Sequence, residues 1–352
     1  MSNENIIPVW DMTNEEWLFE RSKGVGGSDA GSIVGVNPYG SAFQLWGEKT
    51  GKVERTFFGN DATEWGTILE PVIGEMYARK FDKALVEWPV LIWSGNPDYP
   101  FAFVNLDYVE VEPSEKFPAG KVTVWHSTEI PPGIIDIVEC KTTGIATNGA
   151  ANKWAKGKVP ETYLVQGYHY GIVLASIGIE LYHVTFVALV GGQGLVVRGL
   201  GKKETDDLIW DDETAQNICA AEAHFWECVM YEVEPDIDGS DTTEEIIAAR
   251  YPRSAPDKVI EFGEEDYNLV QEFVAAKEAT KKATEREKSL RTRIVARMGD
   301  GEAAVYEKNL LLTFKSGNDR VSFDAKSLEA AEPEVYNKYL KSSPGSRTLL
   351  VK

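Results

Sequence analysis

An acid and a base stand two positions apart at the end of one apolar run, in GIIDIVECKTT at residues 133–143. The run is short, rich in β-branched residues and bounded by turn residues, which predicts a buried strand. Because side chains alternate along a strand, Glu139 and Lys141 lie on the same face. Charges at the end of a core strand are costly unless they are paired or functional. Two interpretations follow: an internal Glu–Lys pair at a sheet margin, or part of a catalytic site.

Metal-assisted hydrolysis of phosphodiesters is one chemistry that uses such a pair. Mg²⁺ takes oxygen ligands, commonly carboxylates together with a carbonyl and waters, and a cation near the attacking water assists the reaction. Glu139, the Cys140 carbonyl and Lys141 supply such groups from one strand. Asp107 lies in the strand-like FAFVNLDYVEV, and antiparallel pairing of this strand with the first would bring Asp107 next to Glu139. The alternative for Asp107 is a turn aspartate that caps a strand end.

Three more polar residues stand in apolar helical surroundings. Glu70 lies in DATEWGTILEPVIGEMYARKFD, which predicts a long helix over residues 61–82. Gln166 and Tyr170 are spaced to share one helix face, and a glutamine on an apolar helix needs a polar partner, which a metal site offers. The alternative for this pair is a surface glutamine beside a core tyrosine. His169, between them, is interpreted as an ordinary, partly buried histidine.

A glycine-rich segment and two basic segments could bind an anion. In GVGGSDAGSIVGVNPYG, residues 24–40, Ser28 can open a short helix whose N-terminal amides favour an anion, and the glycines would let a phosphate come close. The alternative is a glycine-rich turn with an N-cap serine. Trp154, in NKWAKGK, is available to stack on a base. This segment supplies Lys153, Lys156 and Lys158, and a second basic segment, GEKTGKVER, supplies Lys49, Lys52 and Arg55, the last of which lies outside the residues that the structure describes.

Composition limits the class of protein. With 352 residues, 43% of them hydrophobic, the chain can form one large or two ordinary domains. The formal net charge of -20 argues against a protein that coats nucleic acid non-specifically, although a locally basic groove is compatible with it. Three scattered cysteines are too few for a disulfide framework or a four-thiolate cluster. Without a signal-peptide pattern or an apolar run of ~20 residues, a cytoplasmic protein without membrane contact is expected.

Changes in composition divide the chain into three parts. Residues 1–234 alternate between helical and strand patterns. Residues 235–263 are acidic and turn-rich, which is typical of a linker. Residues 264–352 predict a long charged helix ending near Met298, followed by a small strand-rich extension with a closing helix.

Taken together, these motifs resemble the PD-(D/E)xK nuclease superfamily, and within it the YqaJ-type phage recombinases related to lambda exonuclease and the RecB nuclease domain. The resemblance covers roughly residues 15–200 and rests on five motifs in order, namely Arg21 with GVGGSDAGSIVGVNPY, GTILEP with Glu70, NLDY with Asp107, VECK with Glu139 and Lys141, and QGYHY with Gln166 and Tyr170. Leu106 stands where the superfamily expects a proline. The connection from Asp107 to Glu139, with a loop predicted over residues 112–132, is longer than a compact hairpin.

The resemblance implies an α/β (α+β) fold, with a restriction-endonuclease-like mixed β-sheet flanked by helices in residues 1–234. It also implies DNA hydrolysis with one or two Mg²⁺ ions, for which Mn²⁺ substitutes. The implied metal ligands are Glu70, Asp107, Glu139 and the Cys140 carbonyl. Lys141 would orient the attacking water and help to deprotonate it, and Gln166 and Tyr170 would position Lys141 or the DNA backbone. Arg21 and Ser28 would bind a terminal 5′-phosphate, which favours a 5′-to-3′ exonuclease, and Lys153, Trp154 and Lys156 would contact the DNA.

The same resemblance implies partners and leaves alternatives open. The partners would be double-stranded DNA ends, a single-strand annealing protein and further copies of this chain, arranged in a ring as in lambda exonuclease. A phage or prophage protein in the bacterial cytoplasm is expected. An endonuclease or single-strand nuclease of the same fold would keep the metal residues and need no 5′-phosphate pocket. A non-catalytic DNA-binding or recombination-assembly protein would usually have lost one catalytic residue.

Overall fold

The computed structural model describes residues 3–53, 61–144, 153–154, 156–319, 321–341 and 347–351. The chain divides into two compact units, Met1–Arg250 and Tyr251–Lys352. The first unit contains every residue that the sequence predicts to carry chemistry.

The strands of the first unit form two sheets. In chain order they are β1 (Ile6–Pro8), β2 (Val25–Gly26), β3 (Ala84–Glu87), β4 (Val90–Trp93), β5 (Ala102–Val104), β6 (Tyr108–Val111), β7 (Lys121–Val124), β8 (Ile134–Thr143), β9 (Val184–Val190), β10 (Gly194–Gly201) and β11 (Leu208–Ile209). The larger sheet has the order β11-β10-β9-β8-β6-β3-β7, and the smaller has the order β1-β4-β5-β2. Parallel and antiparallel pairs occur in both sheets, so the predicted mixed sheet is confirmed.

Helices accompany both sheets, as the α+β prediction requires. Those described in the first unit are α1 (Asn14–Ser22), α2 (Gly27–Ile33), α3 (Ala42–Lys49), α4 (Asp61–Phe81), α5 (Glu161–Ser176), α6 (Asp212–Met230) and α7 (Asp241–Arg250). Helix α4 continues through Pro71.

Strand β8 lies within the larger sheet and positions the predicted site. It pairs antiparallel with β6 and parallel with β9. Both faces of the strand are covered: Ile137 belongs to the same buried cluster as Tyr170 of α5, and Val138 to the same cluster as Ile73 of α4. A strand buried on both faces has a continuous apolar sequence, and this is why polar side chains are concentrated at its carboxyl end.

A buried polar network joins α5 to α6 and β5. His169 is fully buried, with Nδ1 2.9 Å from a Glu222 carboxyl oxygen and Nε2 2.9 Å from the Phe103 carbonyl. Burial lowers the pKa of His169 to about 4, so its ring is neutral near neutral pH, and burial raises the pKa of Glu222. A neutral ring that donates from Nε2 must accept at Nδ1, which places the shared proton on Glu222. His169 therefore donates to the Phe103 carbonyl and accepts from the Glu222 carboxyl, to which Tyr99 also donates. The predicted partly buried histidine is a fully buried structural anchor.

Two segments differ from their predicted organisation. The connection after β6, predicted as a loop over residues 112–132, contains β7, which pairs parallel with β3 at the edge of the larger sheet. Residues 241–250, predicted to be linker, form α7, and the buried Thr243 hydroxyl donates to Ser41 at 2.8 Å. This part of the linker prediction is wrong, because a buried hydrogen bond attaches the segment to the first unit.

The second unit contains the predicted long helix and a small strand pair. Its elements are α8 (Glu264–Met298), β12 (Ala303–Tyr306), β13 (Asn309–Thr313), α9 (Ala325–Ala331) and α10 (Pro333–Lys338). β12 and β13 pair antiparallel. None of the described helices in either unit combines the length and apolar character that a membrane span requires.

Two glycines of α4 should respond oppositely to replacement by alanine. A Cβ on Gly74 would lie 2.7 Å from the Tyr108 ring, whereas a Cβ on Gly66 would meet only Thr142 Oγ1 at 3.7 Å. We expect Gly74→Ala to lower the free energy of unfolding by about 1–3 kcal/mol through overpacking. Gly66→Ala should raise it by up to about 1 kcal/mol, because alanine favours the helix. Urea denaturation measures both changes, and equal effects of the two substitutions would contradict the packing of α4 on β6.

Candidate active site

Acidic side chains and one lysine meet at the carboxyl end of β8. The antiparallel register of β6 and β8 brings Asp107 beside Glu139, as predicted, and Asp107 Oδ2 accepts the Cys140 N–H at 2.7 Å. Glu139 is only 2% exposed, and its Oε1 lies 2.5 Å from Lys141 Nζ. Alternation along the strand therefore places this acid and base on one face, while the Cys140 side chain is buried in the cluster on the other.

Gln166 and Tyr170 orient Glu139. Gln166 Nε2 donates to Glu139 Oε1 at 2.8 Å and to the Tyr170 hydroxyl at 2.6 Å. The Tyr170 hydroxyl in turn donates to the Asn105 carbonyl at 3.3 Å. The Gln166 amide thus contacts Glu139 directly, and the positioning of Lys141 or the DNA backbone by this pair stays a prediction. Sequence reasoning could not find Asn105, since it acts through its backbone.

Neighbouring carboxylates raise the pKa of Asp107 and of Glu70. Burial raises the pKa of Asp107, and the charges of Glu139 and Glu70 raise it further. For Glu70, burial and then the charge of Glu139 raise the pKa to about 6. Burial lowers the pKa of Lys141, but Glu139 and Asp107 outweigh this effect and raise it, so Lys141 keeps its charge. The site thus holds more negative charge than one ammonium group balances.

One oxygen of this site lacks any protein partner. Glu139 Oε2 is buried without a hydrogen bond, which is costly for a carboxylate. In the described part of the chain, no three Asp, Glu, His or Cys side chains are arranged to hold a metal ion by themselves. Mg²⁺ commonly binds one or two carboxylates and completes its shell with waters and phosphate oxygens. Glu139 with Asp107 or Glu70 fits such an ion; the Cys140 carbonyl stays a predicted ligand.

The ammonium group of Lys141 packs on an aromatic ring, which in turn stacks on a second ring. Lys141 Nζ lies 4.7 Å from the centroid of the Tyr163 ring, a cation–π contact. The Tyr163 ring stacks on Trp154, with centroids 6.1 Å apart. Trp154 is only 1% exposed, so its predicted stacking on a DNA base is corrected: the ring packs inside the protein. Lys153 and Lys156, predicted to contact DNA, are exposed.

An arginine faces the same site. Arg21 Nη2 donates to Ser28 Oγ at 2.8 Å, and the guanidinium lies 4.5 Å from the Trp17 ring centroid. Among the described residues, no carboxylate lies within salt-bridge distance of Arg21. Ser28 is the second residue of α2, not its start as predicted, and this helix has only seven residues. An anion would therefore be bound here by the Arg21 and Ser28 side chains.

One pocket of about 250 Å³ joins the acidic residues to the arginine. Its wall includes Arg21, Ser28, Glu70, Asp107, Glu139, Gln166 and Tyr170, but not Lys141. Gly27 in this wall has no space for a side chain, because a Cβ would lie 2.5 Å from the Tyr170 ring. The absence of a side chain at Gly27 thus lets the turn pack against Tyr170 of α5. The sequence had suggested a different role for the glycines, namely space for a phosphate. The pocket places a cationic group and an acidic group within one cavity.

Comparison with known proteins agrees with the motifs. Residues 16–174 match the model of the YqaJ-like viral recombinase domain family, which confirms the predicted resemblance to YqaJ-type recombinases. The chain is 29% identical over 334 residues to the uncharacterized protein YqaJ of Bacillus subtilis (strain 168), which covers 95% of this chain and 92% of that protein. LHK-Exo, an alkaline exonuclease from Laribacter hongkongensis, has two similar crystal structures, one of them in complex with dAMP. Both structures are 16% identical to this chain, have a TM-score of 0.45 and cover 67% of this chain. The match covers 97% of the exonuclease in the dAMP complex and 99% in the other structure.

Replacing Glu70 by Gln should stabilise the metal-free protein at alkaline but not at acidic pH. The folded-state pKa of about 6 lies above the ordinary value of 4.5. The cost of charging Glu70 is therefore absent below about pH 4.5 and grows as the pH rises through about 6. In EDTA we expect Glu70→Gln to raise the free energy of unfolding by about 1 kcal/mol at about pH 8, after allowance for solvent screening.

Urea denaturation at about pH 4 and about pH 8 measures this difference. Glu75→Gln is the matched control, because Glu75 is an exposed carboxylate on the same helix. A stabilisation by Glu70→Gln that is equal at both pH values, or a destabilisation at the higher one, would contradict the repulsion described above.

Proposed function

We propose that this chain, which carries a YqaJ-like domain match over residues 16–174, is a metal-dependent DNA exonuclease acting 5′-to-3′ on linear duplex DNA. The observation that carries the proposal is the single pocket lined by Glu139, with its unpartnered buried oxygen, and by Arg21 and Ser28. Such a pocket suits a nuclease that holds a terminal phosphate close to the place of hydrolysis.

The acidic half of the pocket would carry the hydrolysis. Glu139, with Asp107 and Glu70, would hold Mg²⁺ or Mn²⁺, one ion or two. A bound ion of this kind polarises phosphate oxygens and makes water a better nucleophile. Gln166 and Lys141 both contact Glu139 Oε1 and so leave Oε2 free of protein donors.

Lys141 would act as a cation in this reaction. Because the neighbouring carboxylates keep it protonated, it can donate to the attacking water or to a phosphate oxygen and offset the developing negative charge. A protonated amine cannot also accept a proton from the water. The help in deprotonation that the resemblance implied would therefore be electrostatic.

The cationic half of the pocket would bind the DNA end. A guanidinium presents several donors in a fixed plane that matches phosphate oxygens, and among the described residues no carboxylate lies within salt-bridge distance of Arg21. A site for a terminal 5′-phosphate favours an exonuclease over an endonuclease, since internal phosphodiesters lack this group. The released single strand would serve an annealing partner in recombination, and a homo-oligomer would hold the acidic protein on its DNA.

Cleavage of linear duplex DNA tests the proposal. With Mg²⁺ present, we expect the strand with a 5′-phosphate to be degraded faster than the same strand with a 5′-hydroxyl. Lys141→Ala should slow degradation about a hundredfold or more, because it removes the positioned cation. Covalently closed circular DNA is the control substrate and should stay intact.

The outcomes separate the parts of the proposal. Cleavage that ignores the 5′ end, or that is equally fast on circular DNA, would contradict the exonuclease while leaving the metal site in place. Absence of Lys141-dependent cleavage with either Mg²⁺ or Mn²⁺ would contradict the nuclease and favour a DNA-binding or assembly role.

The cation–π contact between Lys141 and the Tyr163 ring gives a second prediction. Tyr163→Leu removes the cation–π contact and should lower the cleavage rate at saturating DNA about fivefold. Tyr163→Phe keeps the ring and should leave the rate near that of the wild type. Initial rates of the two variants on one 5′-phosphorylated duplex measure the difference. If Phe lowered the rate as much as Leu, the hydroxyl group and not the ring face would be responsible.

A further inference from the structure

We propose that Lys49 is a positioning residue for the Arg21–Ser28 pair: its buried ion pair with Asp29 keeps that carboxylate from capturing Arg21. This inference rests on the proposed function, since it concerns how the site for a terminal phosphate is kept available.

Lys49 holds the turn before Ser28 at two points. Its Nζ lies 3.0 Å from Asp29 Oδ2 and donates to the Gly24 carbonyl at 2.5 Å. The Lys49 side chain is only 7% exposed. One ammonium group at the end of α3 therefore fixes both ends of the segment 24–29, which contains Ser28.

Asp29 is a buried charge close to Arg21. Its Oδ2 also accepts the Gly26 N–H at 3.1 Å. Burial raises the pKa of Asp29, but Lys49 and then Arg21 outweigh this effect and hold it below its ordinary value, so the carboxylate is charged. Removing one partner of a buried ion pair leaves the other charge uncompensated. Without Lys49, Arg21 is the remaining cation that acts on Asp29.

The backbone of the segment has little freedom to respond to such a loss. A Cβ on Gly24 would lie 2.1 Å from the Phe101 carbonyl oxygen, and the Val25 N–H donates to the same oxygen at 2.8 Å. Arg21, by contrast, is attached to the segment through one hydrogen bond to Ser28 and otherwise stacks on aromatic rings. The arginine side chain is thus the part that would move, away from Ser28 and toward Asp29.

Loss of the Lys49 charge should therefore reduce the preference for a 5′-phosphate, and loss of the Asp29 charge should restore it. Lys49→Met removes the charge, and Lys49→Gln removes it while keeping a donor for the Gly24 carbonyl. In the double variants with Asp29→Asn, the carboxylate that would compete for Arg21 is replaced by a neutral amide. Lys23→Met is the matched control, because Lys23 pairs with Glu20 at the surface.

Binding of short DNA duplexes, followed by fluorescence anisotropy in Ca²⁺ and in EDTA, tests this inference without any cleavage. Two duplexes are compared that differ only in a 5′-phosphate or a 5′-hydroxyl. We expect the wild type to prefer the phosphate, and the Lys49 variants to lose about tenfold of that preference, which corresponds to the loss of one hydrogen bond to a charged group. The double variants should regain the preference, and Lys23→Met should keep it.

A preference unchanged in both Lys49 variants would overturn the inference. So would a preference that is lost but not restored by Asp29→Asn, since Lys49 would then only support the local structure. A wild type without preference would overturn both the inference and the 5′-end part of the proposed function, while the cleavage experiment still decides the nuclease. A preference that is lost and restored in a chain that cleaves no DNA would support the inference and contradict the nuclease.

Discussion

The repulsion between carboxylates buried beside Glu139 is the interaction on which the rest of the site depends. Burial and like charge raise the pKa of both Asp107 and Glu70, so a fold that keeps these acids ionised must supply positive charge or donors. The protein supplies Lys141, the Gln166 amide and the Cys140 N–H. These donors leave Glu139 Oε2 without a partner, and a divalent cation would complete the arrangement.

A second buried carboxylate, Asp29, shows the opposite effect, because neighbouring cations lower its pKa. Asp29 is held at low pKa by Lys49 and Arg21, which leaves the guanidinium near Ser28 open to an external anion. The chain as a whole carries a formal charge of -20, and a net charge of this sign disfavours binding to DNA. Under the proposed function, cations would have to be concentrated where DNA binds. Arg21 and Lys141, each in contact with an aromatic ring, are the residues proposed for this role.

Local sequence patterns predicted the part of this site that depends on strand alternation and antiparallel register. The faces of Glu139 and Lys141, and the pairing that brings Asp107 to them, follow from residue spacing alone. The long helix of the second unit was predicted in the same way, whereas the mixed sheet was an implication of the family resemblance.

Contacts between distant elements could not be read from spacing. Trp154 stands among lysines in an exposed-looking segment, yet its ring is buried on Tyr163. The partner of Gln166 depends on how α5 packs across β8, and the Lys49–Asp29 pair depends on how α3 lies against α2. Residues 241–250 have a polar composition typical of a linker, but one buried threonine hydroxyl attaches them to the first unit.

Calorimetric titration of Mn²⁺ into the metal-stripped chain tests the central claim most directly. If the acids around Glu139 are a metal site, the wild type will bind Mn²⁺, and Glu139→Gln will weaken binding about tenfold or more, because it removes the carboxylate with the unpartnered oxygen. Equal binding by both proteins would contradict the account, and so would absence of binding to the wild type when a non-cleavable DNA duplex is present.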